Sequence, residues 1–230
     1  EEVVEEEDEE EDEEDNEEID GIKFVNYRDE SDLASVMALV GRDLSEPYSI
    51  FTYRYFLNQF PDLCILAVPT RNKQQGSVSD DNNDENKHEE ISTEPIGCVV
   101  CKVDEEESPY YPNVYDGNNS IGDTDKMMTN NSCGSQQSTT CKSKTTLSGY
   151  MAMLAVDTSY RKSGIGTALV KRAVRRMRKR GCSSVTLETE VSNKAAIRLY
   201  EDRLGFVREE LLVRYYLNWG DAYRLRLWFD

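Results

Sequence analysis

Apolar residues recur along this chain with two periods, and each change of period marks a change of element. Ile22–Tyr27 alternates apolar and polar positions as a half-buried strand does, and Leu33, Val36, Met37 and Val40 then fall at helical spacing behind Ser31 as a cap. Asp43-Leu44-Ser45-Glu46-Pro47 breaks that helix, and Pro47 suits the first turn of a second one running through Tyr53 and Phe56 to Gln59. Leu63–Val68 and Ile96–Val103 read as two strands with a large connection, and Gly149–Val156 as a third. A helix follows with the stripe Ile165, Leu169, Ala173 and Met177, closed by Gly181 in a left-handed cap. Ser184–Glu190 is a strand and Asn193–Leu204 a helix stopped by Gly205. Leu211–Leu217 and Ala222–Phe229 then read as strands on either side of Asn218–Asp221. The order β-α-α-β-β-β-α-β-α-β-β gives an α/β fold, a mixed sheet covered by helices in a single domain.

Composition changes this picture in three places. Glu1–Glu18 holds fifteen acidic side chains and no basic one, so of the net charge of −18 only −3 belongs to the rest. Such a stretch repels itself and has no apolar surface to bury, which sets residues 1–18 apart as a disordered acidic tail before a domain over 19–229. Residues 70–94 and 104–147, rich in Asn, Ser, Asp and Thr, read as insertions without packed structure. No run is long and apolar enough to cross a bilayer, and no basic-then-apolar leader stands at the start. A cytoplasmic protein that meets neither membrane nor DNA is the expectation. Cys98 and Cys101 are spaced like half a zinc site but alternate to opposite faces of a strand without a second pair, so no metal is expected.

The chemistry concentrates after Gly149–Val156. Arg161-Lys162-Ser163-Gly164-Ile165-Gly166 lies between that strand and a helix, so its free backbone N–H groups and the positive end of the helix dipole converge on one point. That point suits a phosphate: the glycines let the backbone approach closely, and Arg161 adds charge beside the turn. On the next strand, period two puts Thr186, Glu188 and Glu190 on one face, and either carboxylate there can accept a proton. Tyr200, on the following helix, is a phenol able to donate one, or else a core tyrosine; Asn193 caps that helix.

With R-x-x-G-x-G in this context, the chain resembles the GNAT N-acetyltransferase superfamily, whose acyl-coenzyme A motif is Q/R-x-x-G-x-G/A. Gly149–Asp157, Leu187-Glu188-Thr189-Glu190, Asn193-Lys194-Ala195-Ala196, Leu199-Tyr200-Glu201 and Leu204-Gly205-Phe206 resemble protein N-terminal acetyltransferases. Leu44-Ser45-Glu46-Pro47-Tyr48 and Arg214-Tyr215-Tyr216-Leu217-Asn218 narrow the likeness to the catalytic subunits of NatC-type enzymes. Between Tyr200 and Leu204-Gly205-Phe206 there is one residue more than this family leads one to expect, so the end of that helix is expected to be looser or bulged.

The resemblance implies a GNAT fold with a mostly antiparallel sheet, acetyl-CoA as cosubstrate, and transfer of its acetyl group to an N-terminal methionine followed by a bulky apolar residue (Met-Leu, Met-Ile, Met-Phe). It implies coenzyme contacts at Leu154, Val156, Arg161, Lys162, Ser163, Gly164, Ile165, Gly166, Thr167, Asn193 and Tyr200. A backbone N–H of the Leu154–Val156 segment would polarise the thioester. Glu188 matches the family position of the proton acceptor, and Tyr200 that of the group serving the departing sulfur. Leu44, Glu46, Pro47, Tyr48, Tyr53, Met153, Tyr215 and Tyr216 are the implied substrate contacts, with Glu46 at the amino group. Nascent chain N-termini and two auxiliary NatC subunits are the implied partners. The basic strip over 171–180 reads as the solvated face of its helix or, more sharply, as a contact to ribosomal RNA. A lysine or small-amine acetyltransferase and a non-catalytic scaffold are the alternatives that the same fold permits.

Overall fold

The computed structural model describes residues 18–43, 48–70, 94–107 and 145–229. The acidic tail up to Glu17, most of both insertions, and Leu44, Ser45, Glu46 and Pro47 lie outside them. The described elements follow the expected order. Strand β1 (Ile22–Asn26) leads to helices α1 (Glu30–Asp43) and α2 (Ile50–Gln59), then strands β2 (Cys64–Pro69), β3 (Gly97–Glu107) and β4 (Thr145–Val156). Helix α3 (Ile165–Lys179), strand β5 (Cys182–Glu190), helix α4 (Lys194–Arg198) with a wider turn over Leu199–Arg203, and strands β6 (Val207–Leu212) and β7 (Ala222–Trp228) complete the fold. The seven strands form one sheet in the order β1-β2-β3-β4-β5-β7-β6. Only β4 and β5 pair in parallel, as a strand–helix–strand crossover requires.

Two apolar layers hold the sheet. Leu33, Val36 and Val40 of α1 and Tyr53, Phe56 and Leu57 of α2 cover Leu66, Cys98, Val100 and Met153 on one face. Ile165, Leu169, Ala173 and Met177 of α3 cover Ile65, Val99, Cys101, Val185 and Leu187 on the other. The α3 stripe is the one that helical spacing gave, and Cys98 and Cys101 indeed sit in opposite layers. Helix α3 packs so closely on β4 that a β-carbon at Gly149 would meet the Met177 Sδ and come within 2.9 Å of the Val185 Cγ2. Only a glycine fits that crossing.

Several boundaries differ from the sequence reading, each for a local reason. The Ser31 amide donates to the Asp29 Oδ1 at 2.8 Å, so Asp29, not Ser31, serves as the cap of α1. Helix α2 starts at Ile50, its end capped by the Ser49 side chain, which accepts from the Thr52 amide; Pro47 therefore does not open it. The second insertion starts later than position 104 and ends before 147, because β3 and β4 stay paired from Asp104↔Ser148 out to Glu107↔Thr145. The largest difference is β6. The apolar run expected as a strand over Leu211–Leu217 is instead mostly a connection: Arg214 and Trp219 have φ of 53° and 65°, the Arg214 amide donates to the Asp221 Oδ1, and Tyr216 and Gly220 pair through the backbone. The strand is the charged Val207–Leu212. Its Glu209 and Glu210 pair across to Arg226 and Arg224 of β7, so ionic rather than apolar alternation fixes its register.

The surplus residue expected near the end of the last helix is absorbed as a π turn over Leu199–Arg203. The Phe206 amide closes it by donating to the Tyr200 carbonyl at 3.0 Å, and Gly205, at φ 76°, ends it.

Candidate active site

The site forms where two neighbouring strands part. Strands β4 and β5 are paired only from Leu147↔Cys182 to Tyr150↔Thr186. Beyond that, β4 stays with β3 as far as Val156↔Gly97 and β5 stays with β7 as far as Glu190↔Ala222. Residues 151–156 thus have no β5 partner among the described residues, and their backbone groups on that side line a wedge-shaped opening. An extra residue in β4, Ala152, sits in the register jump between Val100↔Met153 and Cys101↔Met151 and bends the strand there. Leu154 and Val156, half-buried, lie on this diverging stretch.

At the far end of the wedge stands the turn read as a phosphate site. Arg161 Nε donates to the Val156 carbonyl at 2.9 Å and ties the turn to the end of β4. Lys162 and Gly164 have φ of 67° and 89°, which turns the chain sharply into α3. Nothing lies within 4 Å of where a Gly164 β-carbon would stand, so the cradle is open. Ser163 donates its hydroxyl to the Tyr160 carbonyl, and Thr167 is half-buried in the first turn of α3. Ile165 is buried in the core, leaving only its backbone to serve a ligand. These residues fit a pyrophosphate: exposed amides at a 15-residue helix start, two cations, and space. Asn193 caps α4, accepting from the Ala196 amide at 3.1 Å.

Glu188 lies across the wedge from Tyr150, and the two are bonded. Tyr150 Oη donates to Glu188 Oε2 at 2.8 Å, while Arg224 Nε donates to Glu188 Oε1 at 3.0 Å. The Glu188 side chain is only 8% exposed. Burial first, and then the adjacent carboxylate, raise the Tyr150 phenol well above its ordinary value, so it stays neutral at any physiological pH. Thr186 shares this face with Glu188, as alternation indicated, and the face opens into a cavity of about 360 Å³ that Tyr150 and Arg224 also line. Glu190, two residues further along, accepts from the Ser192 hydroxyl at 2.8 Å.

Tyrosines crowd the opening. Tyr48 packs edge-on against Tyr53, and Tyr215 against Tyr216, 5.1 Å between ring centres. Burial followed by Tyr215, Glu190, Tyr48 and Glu188 raises the Tyr216 phenol, which puts these groups around one space. Tyr215 is 47% exposed and Tyr216 half-buried, and both stand in the β6–β7 connection rather than on opposite faces of a strand. Tyr53, 3% exposed, and Met153 belong to the core under α1 and α2 and support the site from beneath. Burial pushes the Tyr53 phenol up to about 12. Tyr200 is likewise buried, its ring packed edge-on against Phe206, and burial raises its phenol too, with Cys101 and Tyr216 adding to the effect.

The sequence reading did not single out Tyr150 or Arg224. Tyr150 stood in plain view beside Gly149, but its importance comes from being the last residue of β4 to pair with β5. Arg224 required the register Glu188↔Arg224. Lys171, Arg178, Lys179 and Arg180 of the basic helix are exposed, as a mostly solvated face requires, but the strip is not solvated throughout. Arg172 is buried over the Phe24 ring, Arg176 donates to Asn26 and to the Asp62 carbonyl, and Arg180 pairs with Asp62. Three of its cations thus brace the β1–β2 side of the fold.

Residues 33–206 match the model of the Acetyltransferase (GNAT) family. The chain belongs to the GNAT family. Among curated GNAT relatives, N-alpha-acetyltransferase 30 of Xenopus laevis is 40% identical over 209 residues, covering 91% of this chain and 55% of that protein. N-alpha-acetyltransferase 30 of Saccharomyces cerevisiae is 37% identical over 205 residues, covering 89% of this chain and 86% of that protein. The chain spans about half the length of the Xenopus relative and 41% of the human one. A chain in the crystal structure of the NatC complex bound to Gag peptide and CoA superposes with a TM-score of 0.62 at 36% identity, covering 91% of this GNAT chain and 99% of that one. No helix among the described residues is long and apolar enough to cross a membrane.

Proposed function

We propose that this protein is an acetyl-CoA-dependent N-terminal acetyltransferase of the NatC type. Its preferred substrates are chains beginning with methionine and a bulky apolar residue, met co-translationally in the cytoplasm. The observation that carries this reading is the wedge between β4 and β5, with an open anion cradle at its end and a Tyr150–Glu188 pair at its apex. The similarity to N-alpha-acetyltransferase 30 over most of the chain supports the choice of an α-amino group as acceptor.

Acetyl-CoA, once bound, supplies an activated thioester. The amides at the start of α3, with Arg161, Lys162, Ser163, Gly164, Gly166 and Thr167, hold its diphosphate, and Asn193 adds a contact from α4. The backbone of Leu154–Val156, which has no β5 partner, would pair with the coenzyme arm, and one of its N–H groups would polarise the thioester carbonyl. Tyr48, Tyr215 and Tyr216 enclose the first two substrate side chains, and Tyr53 and Met153 support them; Leu44, Glu46 and Pro47, which lie outside the described residues, join the proposal on the resemblance alone, Glu46 for the amino group. An α-amino group with a pKa near ~8 is partly neutral at cellular pH. Glu188 accepts the proton it sheds on acylation, by way of a water, and Tyr200 serves the departing sulfur. Two auxiliary subunits and a ribosome contact through the outer side of α3 complete the proposal.

A peptide panel tests it. Thiol release from acetyl-CoA should be fast with Met-Leu and Met-Phe peptides and slow with Ser- or Ala-initiated ones, assayed with and without auxiliary subunits. Preference for a peptide with a blocked N-terminus and a free lysine would overturn it. Unchanged turnover after both Glu188→Gln and Tyr200→Phe would remove these residues from the chemistry.

A further inference from the structure

The hydrogen bonds around Glu188 have a direction, and the direction has chemical content. A phenol carries one hydroxyl hydrogen, and an ionised carboxylate only accepts. In the 2.8 Å bond between Tyr150 Oη and Glu188 Oε2 the hydrogen therefore belongs to Tyr150 and is spent on Glu188. What Tyr150 has left to present to the cleft is lone pairs. An oxygen in that state can receive an N–H from an incoming amine, which orients the nitrogen and leaves its own lone pair for the carbonyl carbon. Were the carboxylate to swing away, the hydroxyl hydrogen would turn to the best remaining acceptor. In a loaded site that acceptor is the amine lone pair, and a hydrogen bond there masks the nucleophile.

Arg224 keeps the carboxylate from swinging. It stands directly opposite Glu188 in the β5–β7 register and donates through Nε to Oε1 at 3.0 Å. Its Nη1 is held in turn by Glu210 Oε2 of β6, also at 3.0 Å. The guanidinium is thus held between two carboxylates; the Glu188 end is shielded from water, its side chain 8% exposed, while Arg224 itself is 36% exposed. Lys102 stands over the Tyr150 ring but pairs with Asp104, so it does not replace Arg224 at Glu188.

We propose that Arg224 is a positioning residue: through Glu188 it commits the Tyr150 hydroxyl hydrogen away from the cleft and so keeps the lone pair of the substrate amine free to attack. This rests on the acetyl-transfer reading above.

The test is a double-mutant cycle on the full chain, with auxiliary subunits present, using acetyl-CoA and a Met-Leu peptide. Arg224→Gln should lower kcat about tenfold or more and leave the KM for acetyl-CoA unchanged. Arg224→Lys should recover part of the loss, since it keeps the charge without the planar fork. In a Tyr150→Phe background there is no hydroxyl to misdirect, so most of the Arg224→Gln loss should disappear, leaving only what displacement of Glu188 itself costs. The proposal fails if Arg224→Gln leaves kcat intact, or if its loss persists in full in the Tyr150→Phe background. A shift in melting temperature on adding CoA reports folding of each variant. Should Arg224→Gln not fold, Glu210→Gln loosens the same guanidinium from its other side. It should give a smaller loss that likewise shrinks with Tyr150→Phe; a loss that persists in full overturns the proposal. Wild-type protein that leaves the Met-Leu peptide unacetylated sinks the acetyl-transfer reading itself.

Discussion

The two halves of the sheet are built on different principles. From β1 to β4 both faces are apolar: Ile65 and Val99 lie under α3, and Leu66 and Val100 under α1 and α2, all essentially inaccessible. From β5 to β6 only one face is apolar, with Val185, Leu187 and Leu225 under α3. The other carries Glu188, Arg224, Arg226, Glu209 and Glu210, bonded to one another across strands. The first half is held by burial, which is strong and non-directional. The second is held in alignment by charge pairs, which contribute little stability singly but fix which atoms meet. The candidate chemistry sits on the line between them, where β4 and β5 part.

That contrast can be broken from either side. The largest effect expected is in the apolar half: Leu66→Ala should lower unfolding free energy by about 3 kcal/mol in denaturant titrations, with turnover per folded molecule unchanged. Next, Glu188→Gln in the ionic half should cut kcat for a Met-Leu peptide about a hundredfold, equivalent to about 2.7 kcal/mol in the barrier. The CoA-induced shift in melting temperature should remain. If Glu188→Gln instead mainly unfolds the protein, the two halves do not divide their labour as described. Gly149→Ala probes the line between them. Forcing Met177 and Val185 aside should cost about 2 kcal/mol and, by moving Tyr150, also lower activity, measured as parallel losses in melting temperature and kcat. The smallest effect is at the outer edge. Glu209→Gln, which removes the charge of one of the two carboxylates paired with Arg226, should change stability by less than about 1 kcal/mol, and that difference should shrink further in high salt.

The same contrast explains what could be read in advance. Elements of the apolar half announce themselves by period, so β1, α1, β2, β3 and the α3 stripe came out close to their observed places. The cradle was legible as well, because Gly164 and Gly166 at a strand–helix junction leave few other uses. In the ionic half, β5 and β7 came out close to their places too, and period misleads only at the edge strand β6. Leu211–Leu217 looks like a strand and is mostly a turn, while the strand begins earlier, at Val207, and ends at Leu212. Apolar alternation carries no information on β6, whose register is aligned by Glu209 and Glu210. Arg224 was invisible for the same reason: its partner is defined by strand order and register, neither of which is local. Ser31 and Pro47 failed on a smaller scale, since Asp29 and Ser49 offered equally good caps a few residues away.

The wide turn over Leu199–Arg203 separates counting from placement. Tyr200 enters it from a helix capped by Asn193, and Phe206 leaves it fixed in the core against the Tyr200 ring, so an additional link in the chain is stored as girth and not as length. Whatever lies upstream and downstream keeps its address. A loop of backbone that can swell by one unit without passing the change along gives evolution a place to add or delete a residue beside the candidate site, while Tyr200 within the turn stays packed on Phe206 beyond it.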